Sequence, residues 1–278
     1  MKKMLSATEI AGTKHSMVKF CKKLRNPSFR KKEGKMLLEG VNPVEEAFKV
    51  NNEIEAVFFS ESFLESERYS VLLYSLFSSC YGKTRFFKVS DRVLNSIAQT
   101  KNPQGILAIT SFPRYNLEDC IRSNPRPLIM VVDALQDPGN LGTIIRTAAG
   151  AGLDCLLALT GSVDFSNPKV VRASAGALFR LPVFNVEDES ELLLLLKKMN
   201  ISLVGTDPHE GTIYYKADYT KPTAFFIGNE NFGLGPFWRK VLDYYIRIPL
   251  FNTESLNAAV AAGVIIFEAL RQRSFIHN

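Results

Sequence analysis

The sequence predicts an α/β protein whose C-terminal half is an open parallel sheet, and three observations carry that expectation. Short apolar runs alternate with helical periodicity along most of the chain. One run, Leu128–Val132 (L-I-M-V-V), is apolar without interruption, the mark of a strand buried on both faces of a parallel sheet. Three polar stretches, Asp137–Gly152, Phe225–Gly235 and Ile248–Asn257, sit at strand-to-helix junctions, where such sheets bind ligands.

In order, residues 1–35 read as a basic arm or helix carrying Lys22, Lys23, Arg25, Arg30, Lys31 and Lys32, with Phe20, Leu24 and Phe29 interleaved. Such an arm suits phosphates, each contact adding affinity and salt dependence. A solvated first helix is the equal alternative, and the spacing of Val18, Cys21 and Leu24 predicts that one face packs on the body. Residues 36–112 read as a small α/β domain: a strand from Met36, a helix from near Pro43, strands at Glu53–Ser60, Thr84–Val89 and Ile106–Thr110, and a helix at Tyr69–Ser79. Residues 113–126 hold Pro113 and Pro125 with little periodicity and read as a linker around a short helix at Leu117–Ile121.

Residues 127–278 form the second domain. After strand Leu128–Val132, Asp137–Asn140 makes a turn and Leu141–Ala151 a helix that Gly150-Ala151-Gly152 stops. Strands follow at Cys155–Leu159, Ser202–Gly205 and Ala224–Ile227, with helices at Lys169–Phe179 and Glu189–Met199. A last strand ends at Pro249, which has no N–H for a ladder. An Ala-rich helix then runs to Arg271 and Arg273, whose charges suit its C-terminal dipole. Thr253 or Ser255 is placed to cap it. Asn257, in its apolar first turn, must find a partner or be costly.

Composition narrows the function. Lys and Arg number 34 against 28 Asp and Glu, a net +6 that favours a polyanionic partner. Four cysteines without a C-x-x-C pair argue against a zinc or disulfide framework and for a reducing compartment. No apolar segment follows the basic first residues, and the longest apolar run, Ala258–Phe267, is too short to span a bilayer. A cytoplasmic protein without membrane contact is the expectation. There is no phosphate-cradling Gly-rich loop after a strand. His15, His209 and His277 are too scattered for a metal site or triad, and His209 reads as an exposed loop residue.

With these residues in view, the chain resembles the SpoU (TrmH-like) RNA ribose 2′-O-methyltransferases of the SPOUT superfamily. The likeness rests on N-L-G-T-I-I-R-T-A (Asn140–Ala148), G-N-E-N-F-G-L (Gly228–Leu234), I-P-L followed by E-S-L-N (Ile248–Asn257), and N-P-K-V-V-R-A-S-A-G-A-L-F-R-L-P-V (Asn167–Val183). Upstream, L-L-E-G-V-N-P-V-E-E-A and P-Q-G-I-L-A-I resemble the family's substrate-binding domain, which has a ribosomal-protein-like fold. Two departures stand out. Asn231 replaces a second glycine, and the loop after Pro249 is about one residue short, with Phe251-Asn252-Thr253 in place of the usual glycine.

The resemblance implies a deep trefoil knot in the C-terminal domain, a homodimer through that domain, and S-adenosylmethionine as cofactor with no metal. It further implies 2′-O-methylation of a structured RNA, ribosomal RNA ahead of transfer RNA. Cofactor contacts fall on Gly228, Glu230, Ile248, Leu250, Leu256 and Asn257. Arg146, Asn140, Ser255, Glu230 and Asn257 form the catalytic set. Arg146 matches the family's proposed base, but its intrinsic pKa, above about 12, favours a phosphate clamp that stabilises alkoxide charge. Two readings stand beside this one: a non-catalytic RNA-binding or ribosome-assembly factor that keeps the fold, and a SPOUT enzyme methylating a base.

Overall fold

Capping and periodicity account for most elements of the computed structural model, which describes residues 7–79 and 82–274; Cys80 and His277 lie outside them. The chain divides into two compact units: residues 1–113 with 166–179, and residues 114–165 with 180–278.

The first unit contains β1 (Thr8–Ile10), α1 (Ser16–Lys23), α2 (Pro27–Glu33), β2 (Lys35–Glu39), α3 (Val41–Lys49), β3 (Ile54–Ser60), α4 (Glu67–Ser79), β4 (Arg85–Val89), α5 (Asp91–Ile97) and β5 (Ile106–Ser111). Among the described residues its strands form one mixed sheet, ordered β1-β4-β3-β5-β2. β5 runs antiparallel to both neighbours, and the β1–β4 and β4–β3 pairs are parallel. Val18, Cys21 and Leu24 bury themselves against Phe58, Phe87 and Ile97, as their spacing predicts. The basic segment is therefore integral to this unit rather than an arm, and its first strand completes the sheet edge.

Arg30 corrects the expectation of a phosphate ligand. It is only 1% exposed. Its Nε donates to Ser166 Oγ (2.9 Å) and its Nη1 to the carbonyls of Leu24 (3.1 Å) and Arg25 (3.0 Å). A guanidinium spent on buried acceptors cannot also meet RNA. Arg25 in turn donates to the carbonyls of Ser96, Ile97 and Ala98, closing the C-terminal end of α5.

The second unit contains α6 (Leu117–Arg122), β6 (Leu128–Val132), α7 (Pro138–Gly150) and β7 (Cys155–Ala158). The intervening α8 (Pro168–Ala173) belongs to the first unit. There follow β8 (Val183–Asn185), α9 (Glu189–Lys198), β9 (Ser202–Thr206), β10 (Thr212–Ile213), β11 (Thr223–Ile227), α10 (Pro236–Val241), β12 (Tyr244–Arg247) and α11 (Ala258–Ser274). All described strand pairs are parallel, in the order β10-β12-β9-β11-β6-β7-β8. β6 and β11 are buried along their whole length, which is why β6 reads as an unbroken apolar run. Residues from α6, α9 and α10 (Ile121, Leu196, Trp238) pack with sheet residues Ile129, Leu157, Leu203 and Phe226. α7 and α11 pack on each other.

Local differences from the sequence reading have local causes. α7 starts at Pro138 because the Asp137 carboxylate accepts the Asn140 N–H (2.7 Å), so the expected turn is already helix. The predicted helix Lys169–Phe179 breaks after Ala173, where Ala175 (φ 49°) and Gly176 (φ 88°) turn left-handed. α3 begins two residues before Pro43. β1, β8, β10, α5 and α10 are shorter than the windows in which periodicity is legible.

Candidate active site

Each of the three polar stretches leaves the carboxyl end of a strand or opens a helix beside one, and parallel register aligns those ends. β11 finishes at Ile227 opposite Val132 of β6. The chain then turns back on itself: Asn229 and Gly233 exchange two backbone hydrogen bonds of 2.9 Å each. The Asn229 side chain locks this turn, accepting from the N–H groups of Asn231 (2.9 Å) and Phe232 (3.3 Å) and donating to the Ala134 carbonyl (2.8 Å). Gly228 has no room for a side chain, since a Cβ there would lie 2.1 Å from the Gly233 carbonyl carbon. Asn231, which replaces a family glycine, sits in ordinary backbone; the left-handed residue of the turn is Gly233 (φ 68°).

The turn is held from beneath by Asp133, whose carboxylate accepts the Gly235 N–H (2.6 Å). Burial pushes the Asp133 carboxyl above the usual carboxylate range, and that hydrogen bond only partly offsets it.

The other stretches meet this turn. Asn140, in the first turn of α7, donates through Nδ2 to Glu230 Oε1 (2.7 Å) and accepts at Oδ1 from Asn257 Nδ2 (2.9 Å). Asn257 Oδ1 accepts the N–H groups of Ala259 (2.9 Å) and Val260 (3.3 Å), so Asn257 itself caps α11. The cap expected from Thr253 or Ser255 is not made; Thr253 Oγ1 instead donates to the Ser255 carbonyl (3.1 Å). Asn257 thus spends its carbonyl on the helix and its amide on Asn140, which is the partner an apolar first turn demanded.

Beside this chain of side chains lies a cavity of about 480 Å³. Gly228, Glu230, Ile248, Leu250, Ser255 and Leu256 line it, with Ala258, Ala261 and Ile265 of α11 as an apolar wall. Its size is in the range of small-molecule sites, and it joins an apolar wall to a few fixed polar groups. Asn140 and Asn257 reach it through Glu230. Arg146 does not line it: exposed on α7, it makes no hydrogen bond or ion pair within the described residues. Lys22, Lys23, Arg25, Lys31 and Lys32 are all in the first unit; the first two belong to α1 and the last two to α2.

Sequence reasoning missed the rim supplied by β9. Asp207 and His209 line the cavity, as does Arg239 of α10, 3.8 Å from the Asp207 carboxylate. The signal available was that Ser202–Gly205 is itself a strand whose carboxyl end had to open onto the same edge. Among the described residues, no cluster of His, Cys, Asp or Glu could hold a metal, and no helix is long and apolar enough to cross a membrane.

Comparison with known proteins agrees with this geometry. A model of the SpoU rRNA methylase family matches residues 127–267, and one of the MRM3-like substrate binding domain matches residues 15–108. The 23S rRNA (guanosine(2553)-2′-O)-methyltransferase RlmP of Bacillus subtilis is 30% identical over 260 residues, covering 93% of this chain and 98% of that protein. A 23S rRNA (uridine(2479)-2′-O)-methyltransferase of Streptomyces viridochromogenes is 32% identical over 257 residues, covering 90% and 87%. The crystal structure of the SpoU methyltransferase AviRb from Streptomyces viridochromogenes, in complex with AdoMet, matches with a TM-score of 0.84 at 30% identity, covering 94% of this chain and 98% of that one.

Proposed function

From the premise that this chain belongs to the SpoU rRNA methylase family, we propose that its cavity holds S-adenosylmethionine against a ribose 2′-hydroxyl of RNA. The protein is an S-adenosylmethionine-dependent RNA ribose 2′-O-methyltransferase, with ribosomal RNA as the favoured substrate. One observation carries the site assignment: Asn140, Glu230 and Asn257, from three separate stretches, form one hydrogen-bonded chain beside one cavity. A non-catalytic factor would have no need to keep these partners together.

The residues present fit the cofactor. Gly228 lets the turn close tightly on Gly233, and backbone groups there and at Ile248, Leu250 and Leu256 line the cavity, where they can clasp a flat base edge-on. When bound, S-adenosylmethionine supplies an electrophilic methyl on a sulfonium. Glu230 presents a carboxylate to the cavity that would offset such a positive charge, and Asn140 fixes its orientation. Asn257 holds Asn140 in turn and anchors the start of α11. Ser255, exposed at the rim, is placed to position the incoming ribose. Arg146, free of protein partners among the described residues, is available to clamp the neighbouring phosphate and stabilise developing alkoxide charge; positioning supplies much of the rate.

The finer reading extends to assembly. Val260 and Phe267 leave apolar surface, each 53% exposed, on the side of α11 away from the core. That surface supports a homodimer through the second unit, with Arg146 completed by the partner's hold on the RNA. A trefoil knot, formed as the segment from Ile248 threads to the loops at Asn140 and Glu230, is part of the same reading. Free, buried Cys21 and Cys155 suit a reducing, cytoplasmic setting. The test is Arg146→Ala, assayed on in vitro transcribed 23S rRNA by nuclease digestion and mass spectrometry. Ribose methylation is expected to vanish while calorimetric S-adenosylmethionine affinity stays near wild type. Undiminished methylation removes Arg146 from the mechanism.

A further inference from the structure

We propose that a second cavity, within the first unit, takes one unpaired nucleotide of the RNA substrate; this rests on the methyltransferase reading above. The cavity measures about 400 Å³ and is walled by the start of α4, the start of α5 and the loop before β5. Phe63 and Tyr69 form its aromatic side, their rings stacked at 4.9 Å and 9°. Phe63 is buried, while Tyr69 is half-buried.

Polar groups converge opposite that pair. Gln104 Oε1 accepts the Val41 N–H (2.9 Å), which fixes the amide and leaves its NH2 without a protein partner among the described residues. Asn95 and Lys101 line the same space and likewise make no hydrogen bond there. A carboxylate stands among these groups: Asp91 takes the Ser62 hydroxyl (3.1 Å), and Ser62 Oγ lies 2.8 Å from Ser60 Oγ. The loop is pressed onto the aromatic side at Gly105 (φ 85°), where a Cβ would come within 2.9 Å of Ser60 Oγ and 3.0 Å of Phe63 Cβ. The Gln104 amide is therefore held in place, while Asn95 and Lys101 reach the space from exposed positions.

An aromatic wall with one fixed amide, a second amide and one cation is the chemistry that reads an unstacked base: the ring packs on the aromatic, the amides meet its edge, and the cation meets its phosphate. A single lysine suits one phosphodiester and not the clustered charge of a free di- or triphosphate. The unit's match to a substrate-binding domain over residues 15–108 points the same way.

The test uses the full-length protein and in vitro transcribed 23S rRNA in filter binding. Gln104→Glu keeps an acceptor for the Val41 N–H but removes the free donor; Asn95→Trp fills the cavity from an exposed position. Each is expected to weaken RNA binding about tenfold, the scale on which recognition of one base contributes to affinity. Melting temperature and S-adenosylmethionine affinity should stay at wild-type values. Wild-type RNA affinity in folded Gln104→Glu protein overturns the proposal. Failure of the wild-type protein itself to bind the RNA instead overturns the methyltransferase reading, and this one with it.

Discussion

Gly228→Ala isolates the geometry on which the proposed cofactor site rests. The added Cβ would lie 2.1 Å from the Gly233 carbonyl carbon, 2.3 Å from Leu234 N and 2.4 Å from Gly233 O. All three are backbone atoms, so no side chain can swing aside. The Gly233 strand of the turn must retreat by about 1.3 Å to reach the 3.4 Å of ordinary contact. Such a retreat breaks the two 2.9 Å hydrogen bonds between Asn229 and Gly233. Each is worth about 1 kcal/mol net, and overpacking adds about 1–3 kcal/mol. A loss near 3 kcal/mol in the bound-competent turn corresponds to roughly a hundredfold in Kd. Gly233→Ala is the matched control: its φ of 68° disfavours alanine, but the nearest atom is the flexible Arg239 Nη2 at 3.0 Å. That strain costs about 1–2 kcal/mol, so its effect should be the milder one. Calorimetric titration with S-adenosylmethionine, with thermal melting to verify folding, decides. Binding by Gly228→Ala within threefold of wild type, or a larger loss in Gly233→Ala, refutes the argument that space rather than backbone strain selects this glycine.

Two further outcomes follow from particular side chains. Arg30→Met should lower unfolding free energy by about 2–4 kcal/mol in urea, because buried carbonyls lose their donor, yet leave the salt slope of RNA binding intact. Charge reversal at Lys22, Lys23 and Lys32 should do the opposite, flattening that slope by about one unit for every phosphate no longer neutralised; an unchanged slope rejects α1 and α2 as a phosphate track. Asp133 contributes one term to the pH dependence, as does Glu189: with its folded pKa raised by burial, the native state holds the Asp133 proton more tightly than the unfolded chain. The stability of wild type relative to Asp133→Asn should therefore fall as pH rises from the ordinary Asp value through the raised one. Superimposable pH–stability curves from urea melts of the two proteins would contradict this sign.

Elements long enough to show a period were legible. β6, continuously apolar, is where its run placed it, β11 begins one residue before its expected start, and α9 and α11 match their predicted spans within a few residues. The stop of α7 at Gly150-Ala151-Gly152 was equally plain, with Gly152 at φ 72°. Short elements escaped because two to seven residues hold too few repeats of any period. Charge was legible as composition but not as role. Arg30 and Lys32 look alike in a basic run, yet one is buried beneath α2 and the other exposed, a difference of helix face only packing can assign.

By itself, the sequence determined the α/β class, the parallel sheet and the three polar stretches at strand-to-helix junctions, because periodicity, capping and turn propensity act within a few residues. Tertiary structure alone decided that Asn140 would meet Glu230 and Asn257, that Asp207, His209 and Arg239 would share their cavity, and that Gln104 would face Tyr69. Those meetings span 90 and 117 positions of chain in the first two cases. They follow from the order in which strands are laid beside one another, and no local preference encodes that order.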